Sequence, residues 1–456
     1  MAGLSRAFGG RPVALAVVCA VVVLAIVPAR AAVRPPRLQY TTTVLPNGLR
    51  VILSEDHSTP IVHVSLWYHV GSKNEKPGRT GFAHLFEHMM FKGSKNVEPD
   101  SHTSIIASIG GRSNAYTTED ATVFWETLPS HYLPLALWLE ADRMATLRVE
   151  FEAFDREREV VKEERRMRVE NQPYGRLSEI ITDHAFTTHP YKHAPIGSMA
   201  DLQAASISDV REFHSTYYVP ENATLTIVGD FDSAQASQLV EQYFGRVPKA
   251  ARPVPRDIPR EPEQKAERRF TVTEAWPLPV VVVAYHIVYD GHADSYPLHI
   301  LSKILSDGDS ARIPRELVYN KRIALTASGS GNLIEDPNLF YGVAILQPGQ
   351  TPEVAEKALI AEFDKLKAEP VTERELQRTK NQFARDYVLG RESNEDKASA
   401  LAHAAVIHSD ITTADGEFDI FMNVTQADLQ RVARTYFTEA NRMVLYVLPQ
   451  AAGGRR

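Results

Sequence analysis

Thr216-Tyr217-Tyr218-Val219-Pro220-Glu221-Asn222 has an echo near the other end of the chain, Thr435-Tyr436-Phe437-Thr438-Glu439-Ala440-Asn441. A second pair shares both order and offset: Thr59-Pro60-Ile61-Val62-His63-Val64 against Leu278-Pro279-Val280-Val281-Val282-Val283. Two modest matches at one spacing read as a duplication, and 456 residues exceed what a single core usually serves. The joint falls between Pro248 and Pro262, where five prolines and few large apolar residues bar a helix or a central strand. The expected units are 38–247 and 266–450, joined by a linker at 248–265.

Within the first unit, Pro46-Asn47-Gly48-Leu49 between apolar stretches signals a hairpin, because Asn-Gly tolerates the positive φ of a tight turn. Val62, Val64, Leu66, Tyr68 and Val70 alternate, which predicts a strand over 61–70 with one buried face. Helical patterns follow at 80–91, 130–147 and 152–171, then a strand at 223–228. Hairpins mixed with long helices predict an α+β fold: two homologous repeats, each a mostly antiparallel sheet layered with helices.

The N-terminus reads differently. Arg6 and Arg11 precede an apolar run, Val13 to Val27, that ends at Pro28 and Ala29-Arg30-Ala31. That is the layout of a secretory signal at 1–31, cleaved after Ala31, and it implies an exported, periplasmic protein; an uncleaved membrane anchor is the alternative. The single cysteine, Cys19, lies inside this run, so the mature chain has neither a disulfide nor a thiolate metal site. Removing 1–31 takes away three arginines and no acid, moving the formal charge from −7 to −10, which disfavours nucleic acid as a partner.

Chemistry is carried by Gly81 to Phe91. At about 100° per residue, Phe82, Leu85, Phe86, Met89 and Met90 share one side of a helix, and His84, Glu87 and His88 share the other. Histidines at i and i+4 can reach one zinc, with Glu87 beside them where a water to be activated would lie. A solvated amphipathic face is the bland alternative. A third ligand is sought at 154–167, where Phe154, Val160, Val161 and Met167 read as an inward face shared by Glu157 and Glu164. A glutamate facing a core is costly unless paired or metal-bound. In the second repeat His299, Ser302 and Lys303 stand opposite His84, Glu87 and His88, so only one half is expected to hold metal. His102, His131, His184, His189 and His193 show no comparable pattern and read as surface or local structural residues.

His84-Leu85-Phe86-Glu87-His88-Met89-Met90-Phe91-Lys92-Gly93, followed well downstream by Glu164, resembles the zinc helix and distal glutamate of the inverted-zincin metallopeptidases. This is the family of pitrilysin, insulin-degrading enzyme and mitochondrial processing peptidase, and the chain looks like a short two-domain bacterial-type member. The resemblance implies one Zn2+ per chain, with His84, His88 and Glu164 as ligands, Glu87 as general base and Glu157 as a supporting glutamate of the catalytic site. Gly110 to Thr117 resembles the family's edge strand, implying that Asn114, Ala115, Tyr116 and Thr117 bind an extended peptide. Arg312 is placed where family members carry a substrate-binding arginine, and Leu325 where they carry a tyrosine. The implied function is a zinc endopeptidase acting on peptides or unfolded segments, each chain forming half of a clamshell chamber. Its partner is a second copy or a zinc-free homologous chain. A non-catalytic or partner-dependent peptide-binding subunit of an envelope complex is the alternative.

Overall fold

The computed structural model describes residues 35–450; the leader at 1–31, its cleavage point and Cys19 lie outside them. Strands β1 (Thr41–Val44), β2 (Arg50–Glu55), β3 (Ile61–Tyr68), β4 (Arg112–Thr117), β5 (Thr122–Pro129) and β6 (Ala223–Gly229) form a sheet ordered β1-β2-β6-β3-β5-β4. Strands β7 (Arg268–Glu274), β8 (Val280–His286), β9 (Ala324–Gly331), β10 (Leu339–Leu346) and β11 (Arg442–Pro449) form another, ordered β7-β11-β8-β10-β9. Setting β1 aside, the two orders coincide strand for strand, and each sheet is antiparallel except for one parallel pair, β2 with β6 and β7 with β11. The fold is α+β and duplicated.

The first half's helices are α1 (Phe82–Met89), α2 (Ser101–Ser108), α3 (Leu133–Thr146), α4 (Phe151–Arg165), α5 (Leu177–Ala185), α6 (Met199–Ala204), α7 (Ile207–Tyr217) and α8 (Ser233–Phe244). Those of the second are α9 (Ser295–Ser306), α10 (Pro352–Ala368), α11 (Glu373–Leu389), α12 (Asn394–Val406), α13 (Thr413–Asn423) and α14 (Gln426–Tyr436). The duplicated asparagine explains its own recurrence. Asn222 Nδ2 donates to the carbonyls of Tyr217 and His69 at 2.8 and 3.3 Å, tying the end of α7 to the end of β3. Asn441 Nδ2 does the same between α14 and β8, donating to Tyr436 and His286 at 2.8 Å each. The Asn-Gly turn joins β1 to β2 with Gly48 at φ 94°, and Asn47 Nδ2 reaches the carbonyls of Phe244 and Val247 at the end of α8.

The two halves exchange helices. α12, from the second half, lies on the first sheet: Ala398, Leu401 and Ala405 pack on Ile52 and Val228, and Ala402 and Val406 on Trp67 and Val123. α5, from the first half, lies on the second sheet, where Ile180, Ile181 and Ala185 meet Val280, Val282 and Leu445. Burying one leucine such as Leu401 contributes about 1.5–3 kcal/mol, so each sheet depends on the opposite half. Residues from Leu38 onward accordingly form one compact unit.

This exchange corrects the alternation read in β3. His63, Ser65 and Trp67 are as buried as Val62, Val64 and Leu66, because α12 covers the face expected to meet solvent. The inward face of α4 is also narrower than expected. Phe154, Glu157, Val161 and Arg165 are buried, but Val160 and Met167 are exposed. Val160 points well away from Phe154 on the helical wheel, and Met167 falls in the π-helical stretch Arg166–Glu170, where each residue turns less than in an α-helix.

A buried ionic cluster completes the seam. Lys73 Nζ, 5% exposed, lies 2.9 Å from Asp120 of its own half and 2.8 and 3.0 Å from Glu335 and Asp336 of the other. His69 meets Glu335 at 2.7 Å, and Tyr191 Oη donates to Asp120 at 2.5 Å.

Candidate metal centre

α1 is positioned from both sides. Phe82, Leu85, Phe86 and Met89 are buried in the first core, which turns His84, Glu87 and His88 outward. Its N-terminus is capped by Glu75, fully buried, whose carboxylate accepts from Gly81 N at 2.9 Å and Ala83 N at 2.8 Å. A carboxylate there satisfies otherwise orphaned amides and complements the helix dipole. Gly81, at φ 90°, crosses Gly197 so closely that a Cβ on Gly197 would lie 2.3 Å from Gly81 N.

α4 runs alongside and brings Glu164 to the two histidines. Glu164 Oε2 lies 3.3 Å from His88 Nε2 and 3.7 Å from His84 Nε2, and the three donor atoms lie within 4.8 Å of one another. Donors about 2.0–2.2 Å from a tetrahedral zinc stand about 3.3–3.5 Å apart, so the set fits zinc in number, type and span. The other carboxylate oxygen, Oε1, is held by Arg168 Nη1 at 2.7 Å, leaving a single oxygen for the metal. Burial, with His88 alongside, holds His84 down at about 4, a neutral imidazole ready to ligate. His88 moves the other way, to about 9: burial pulls it down, but the carboxylates of Glu157 and Glu164 outweigh burial.

Glu157 is almost wholly buried and meets His88 from its Nδ1 side. Its Oε2 is 3.4 Å from His88 Nδ1 and its Oε1 is 2.9 Å from Lys92 Nζ. That placement orients the imidazole through its second nitrogen. Glu87 is on the open side, and its Oε2 accepts from Thr117 Oγ1 of β4 at 2.6 Å. Burial raises the Glu87 carboxyl, with the Thr117 hydrogen bond opposing.

β4 is an edge strand, paired with β5 alone, so its second row of backbone groups has no strand partner. Asn114, Ala115, Tyr116 and Thr117 line a cavity of about 500 Å³ together with His84, Glu87, His88, Glu157, Glu164 and Arg168. Arg312 lies outside that lining. Its guanidinium is committed to its own half, with Nε and Nη2 donating to the two oxygens of Glu375 at 2.8 and 2.9 Å. Leu325 stands half-exposed on the edge strand β9.

Sequence reading misses three of these contributions: Arg168 on Glu164, Lys92 on Glu157, and Thr117 acting on Glu87. Arg168 has a usable signal, the i+4 spacing from Glu164; the other two join residues that only the fold brings together. His102, read as a surface or local structural residue, is buried, with its Nε2 3.8 Å from Glu126 and 3.9 Å from Glu140, and neither ring nitrogen has a hydrogen-bond partner.

The second half shows why it lacks an equivalent. Lys303 Nζ on α9 pairs with Asp386 on α11 at 2.7 Å and with Asp307 at 3.1 Å. An ammonium thus joins the two helices that correspond to α1 and α4, and Ser302 Oγ, at the Glu87 position, accepts from Gly331 N of β9.

Two substitutions test this account. Thr117→Val keeps the strand's shape and removes the donor to Glu87; kcat is expected to fall about 10- to 150-fold with KM and zinc content unchanged, since a hydrogen bond to a charged group contributes about 1.5–3 kcal/mol. Arg312 and its hydrogen bonds hold Glu375 down to about 2 from 4.5, so the pair stabilises the chain above pH 4.5 and loses this effect as pH falls towards 2. Arg312→Gln should lower stability at pH 7 by about 1 kcal/mol, after allowing for solvent screening. The difference between parent and variant in denaturant midpoint should close near pH 2.

Residues 50–197 match the family model for insulinase (peptidase family M16), and residues 204–383 match the peptidase M16 inactive domain. The zinc protease PqqE of Helicobacter pylori is 32% identical over 414 residues, 90% of this chain and 93% of that protein. A crystal structure of a protease from Helicobacter pylori has a TM-score of 0.87 at 32% identity, covering 90% of this chain and 100% of that one. Pitrilysin is similar in fold, with a TM-score of 0.74 at 19% identity; the match takes in 91% of this chain but 46% of pitrilysin. Identity of 32% sustained along nine-tenths of both chains means that this protein belongs to the M16 peptidase family.

Proposed function

We propose that the chain is a zinc-dependent endopeptidase hydrolysing peptides or unfolded polypeptide segments, with one zinc held by His84, His88 and Glu164. The observation that carries this reading is the placement of Glu87 on the open side of a complete three-donor set, with an unpaired strand edge lining the same cavity. A zinc ion in that set supplies Lewis acidity, polarising a carbonyl and acidifying water. Glu87 takes the proton from the attacking water and returns it to the departing amide nitrogen. Thr117 fixes the oxygen of Glu87 that it donates to, and Glu157 keeps the His88 ring in line. An extended substrate adds to β4 through main-chain hydrogen bonds, which suits unfolded segments because specificity then rests on side-chain pockets.

The second half supplies neither a free arginine at Arg312 nor a tyrosine at Leu325. That favours a two-chain enzyme, in which this zinc-bearing chain meets a second copy or a zinc-free relative across an enclosed chamber. A partner-dependent peptide-binding subunit is the second reading. The leader read at 1–31 supports work outside the cytoplasm, in the periplasm.

The test is hydrolysis of a quenched unstructured peptide by the purified chain, before and after chelation and zinc restoration. Zinc-dependent cleavage by the chain alone supports a self-sufficient enzyme. Stoichiometric zinc without cleavage, restored by a zinc-free relative, supports the two-chain form; silence in both cases overturns the peptidase reading.

A further inference from the structure

Away from the cavity already described, a second cluster gathers at the seam between the halves. His403 lies near the end of α12, His408 in the turn after it, and Asp290 in the loop that leaves β8. Asp290 Oδ2 is 3.0 Å from His408 Nε2 and 3.6 Å from His403 Nε2, and the three donors lie within 4.8 Å of one another. Those separations bracket the roughly 3.3 Å between donors around a tetrahedral zinc.

The hydrogen bonds around the cluster decide which atoms are available. Thr413 Oγ1 donates its only proton to the carbonyl of Asp410 at 2.8 Å, so towards His408 Nδ1, also at 2.8 Å, it can only accept. Neutral His408 therefore carries its proton on Nδ1 and presents a lone pair on Nε2. That lone pair faces the carboxylate of Asp290 at 3.0 Å, and two acceptors hold that distance only with a proton or a cation between them. The second oxygen of Asp290 is fixed by Gly291 N at 3.0 Å. His408 is aimed back at the helix end by a tight turn in which Ser409 takes φ 55° and Asp410 N bonds the carbonyl of Ala404. His403 is 42% exposed, which leaves an entry path from solvent.

We infer that Asp290, His403 and His408 form a second binding site for a first-row transition-metal dication of the zinc type, separate from the M16 centre. Two imidazoles and one carboxylate select such ions over magnesium or calcium. The ion joins the loop after β8, in the second sheet, to the helix seated on the first, so its role is to clamp the seam.

Cobalt(II) is the probe, because its visible absorption reports ligand geometry and its binding can be counted. The metal-stripped parent chain should take up two equivalents, and His84→Ala/His88→Ala one, with a raised thermal midpoint. Adding Asp290→Asn and His403→Ala should abolish that remaining equivalent and its absorption. If the combined variant fails to fold, Asp290→Asn in the otherwise unchanged chain should reduce two equivalents to one. A folded His84→Ala/His88→Ala chain that binds no cobalt, or a parent holding one equivalent both with and without Asp290→Asn, would overturn the site and leave a proton bridging His408 and Asp290.

Discussion

Glu87→Gln should bind zinc as the parent does yet cleave peptide about 10²- to 10⁴-fold more slowly, the range general-base catalysis contributes. Glutamine preserves the volume of the side chain and an oxygen that can accept from Thr117, and none of the three metal donors belongs to residue 87. The loss should therefore fall on kcat, with KM and metal content unchanged. Zinc measured by elemental analysis and turnover measured on the same preparation separate this from a ligand variant such as His88→Ala, which should lose both. A Glu87→Gln chain that cleaved at the parental rate would remove Glu87 from the mechanism.

The largest stability effect is expected at Lys73→Met. A methionine fills the space of the lysine stem but leaves Asp120, Glu335 and Asp336 facing one another without their shared cation. Breaking a buried charge cluster in this way costs about 3–5 kcal/mol. Burial would lift Asp336, but His189 and Lys73 hold it at about 2, so its contribution is present above 3.8 and lost as pH falls towards 2. The deficit of the variant should accordingly be greatest at neutral pH and shrink in acid. Because the cluster spans both halves, denaturant should still unfold the variant in one shifted transition. Two separated transitions would show that the halves are stabilised independently.

The motif helix is legible in the sequence because its information is local. Phe82, Leu85, Phe86 and Met89 against His84, Glu87 and His88 is a division a single helix imposes, and the structure keeps it. The duplication is legible for a similar reason, since Asn222 and Asn441 close the same two carbonyls in each half. What escapes depends on residues far apart in the chain. Nothing near Ser65 or Trp67 announces that α12, from the opposite half, will cover them. The Asp290 cluster is equally hidden, its carboxylate brought to His403 and His408 from a loop on the far side of α9, β9, β10, α10 and α11. Helical phase misleads at Val160 and Met167, whose apolar side chains suggest an inward position that the angle of one and the π-turn around the other deny.

The exchange of α5 and α12 also sets a schedule for the growing polypeptide. The first sheet has its last strand once Gly229 is made, but its outer face waits for Val406, near the end of the chain. At about 5–20 residues per second, synthesis of the intervening stretch lasts roughly 10–30 s. Throughout it Ile52, Val228, Trp67 and Val123 lack the α12 side chains that cover them and keep only first-half neighbours such as Leu38, Tyr40 and Ala121, so the scaffold behind His84, His88 and Glu164 is unfinished. The support behind His84, His88 and Glu164 is therefore completed only when a helix encoded about 170 residues after the last strand of that sheet has been made.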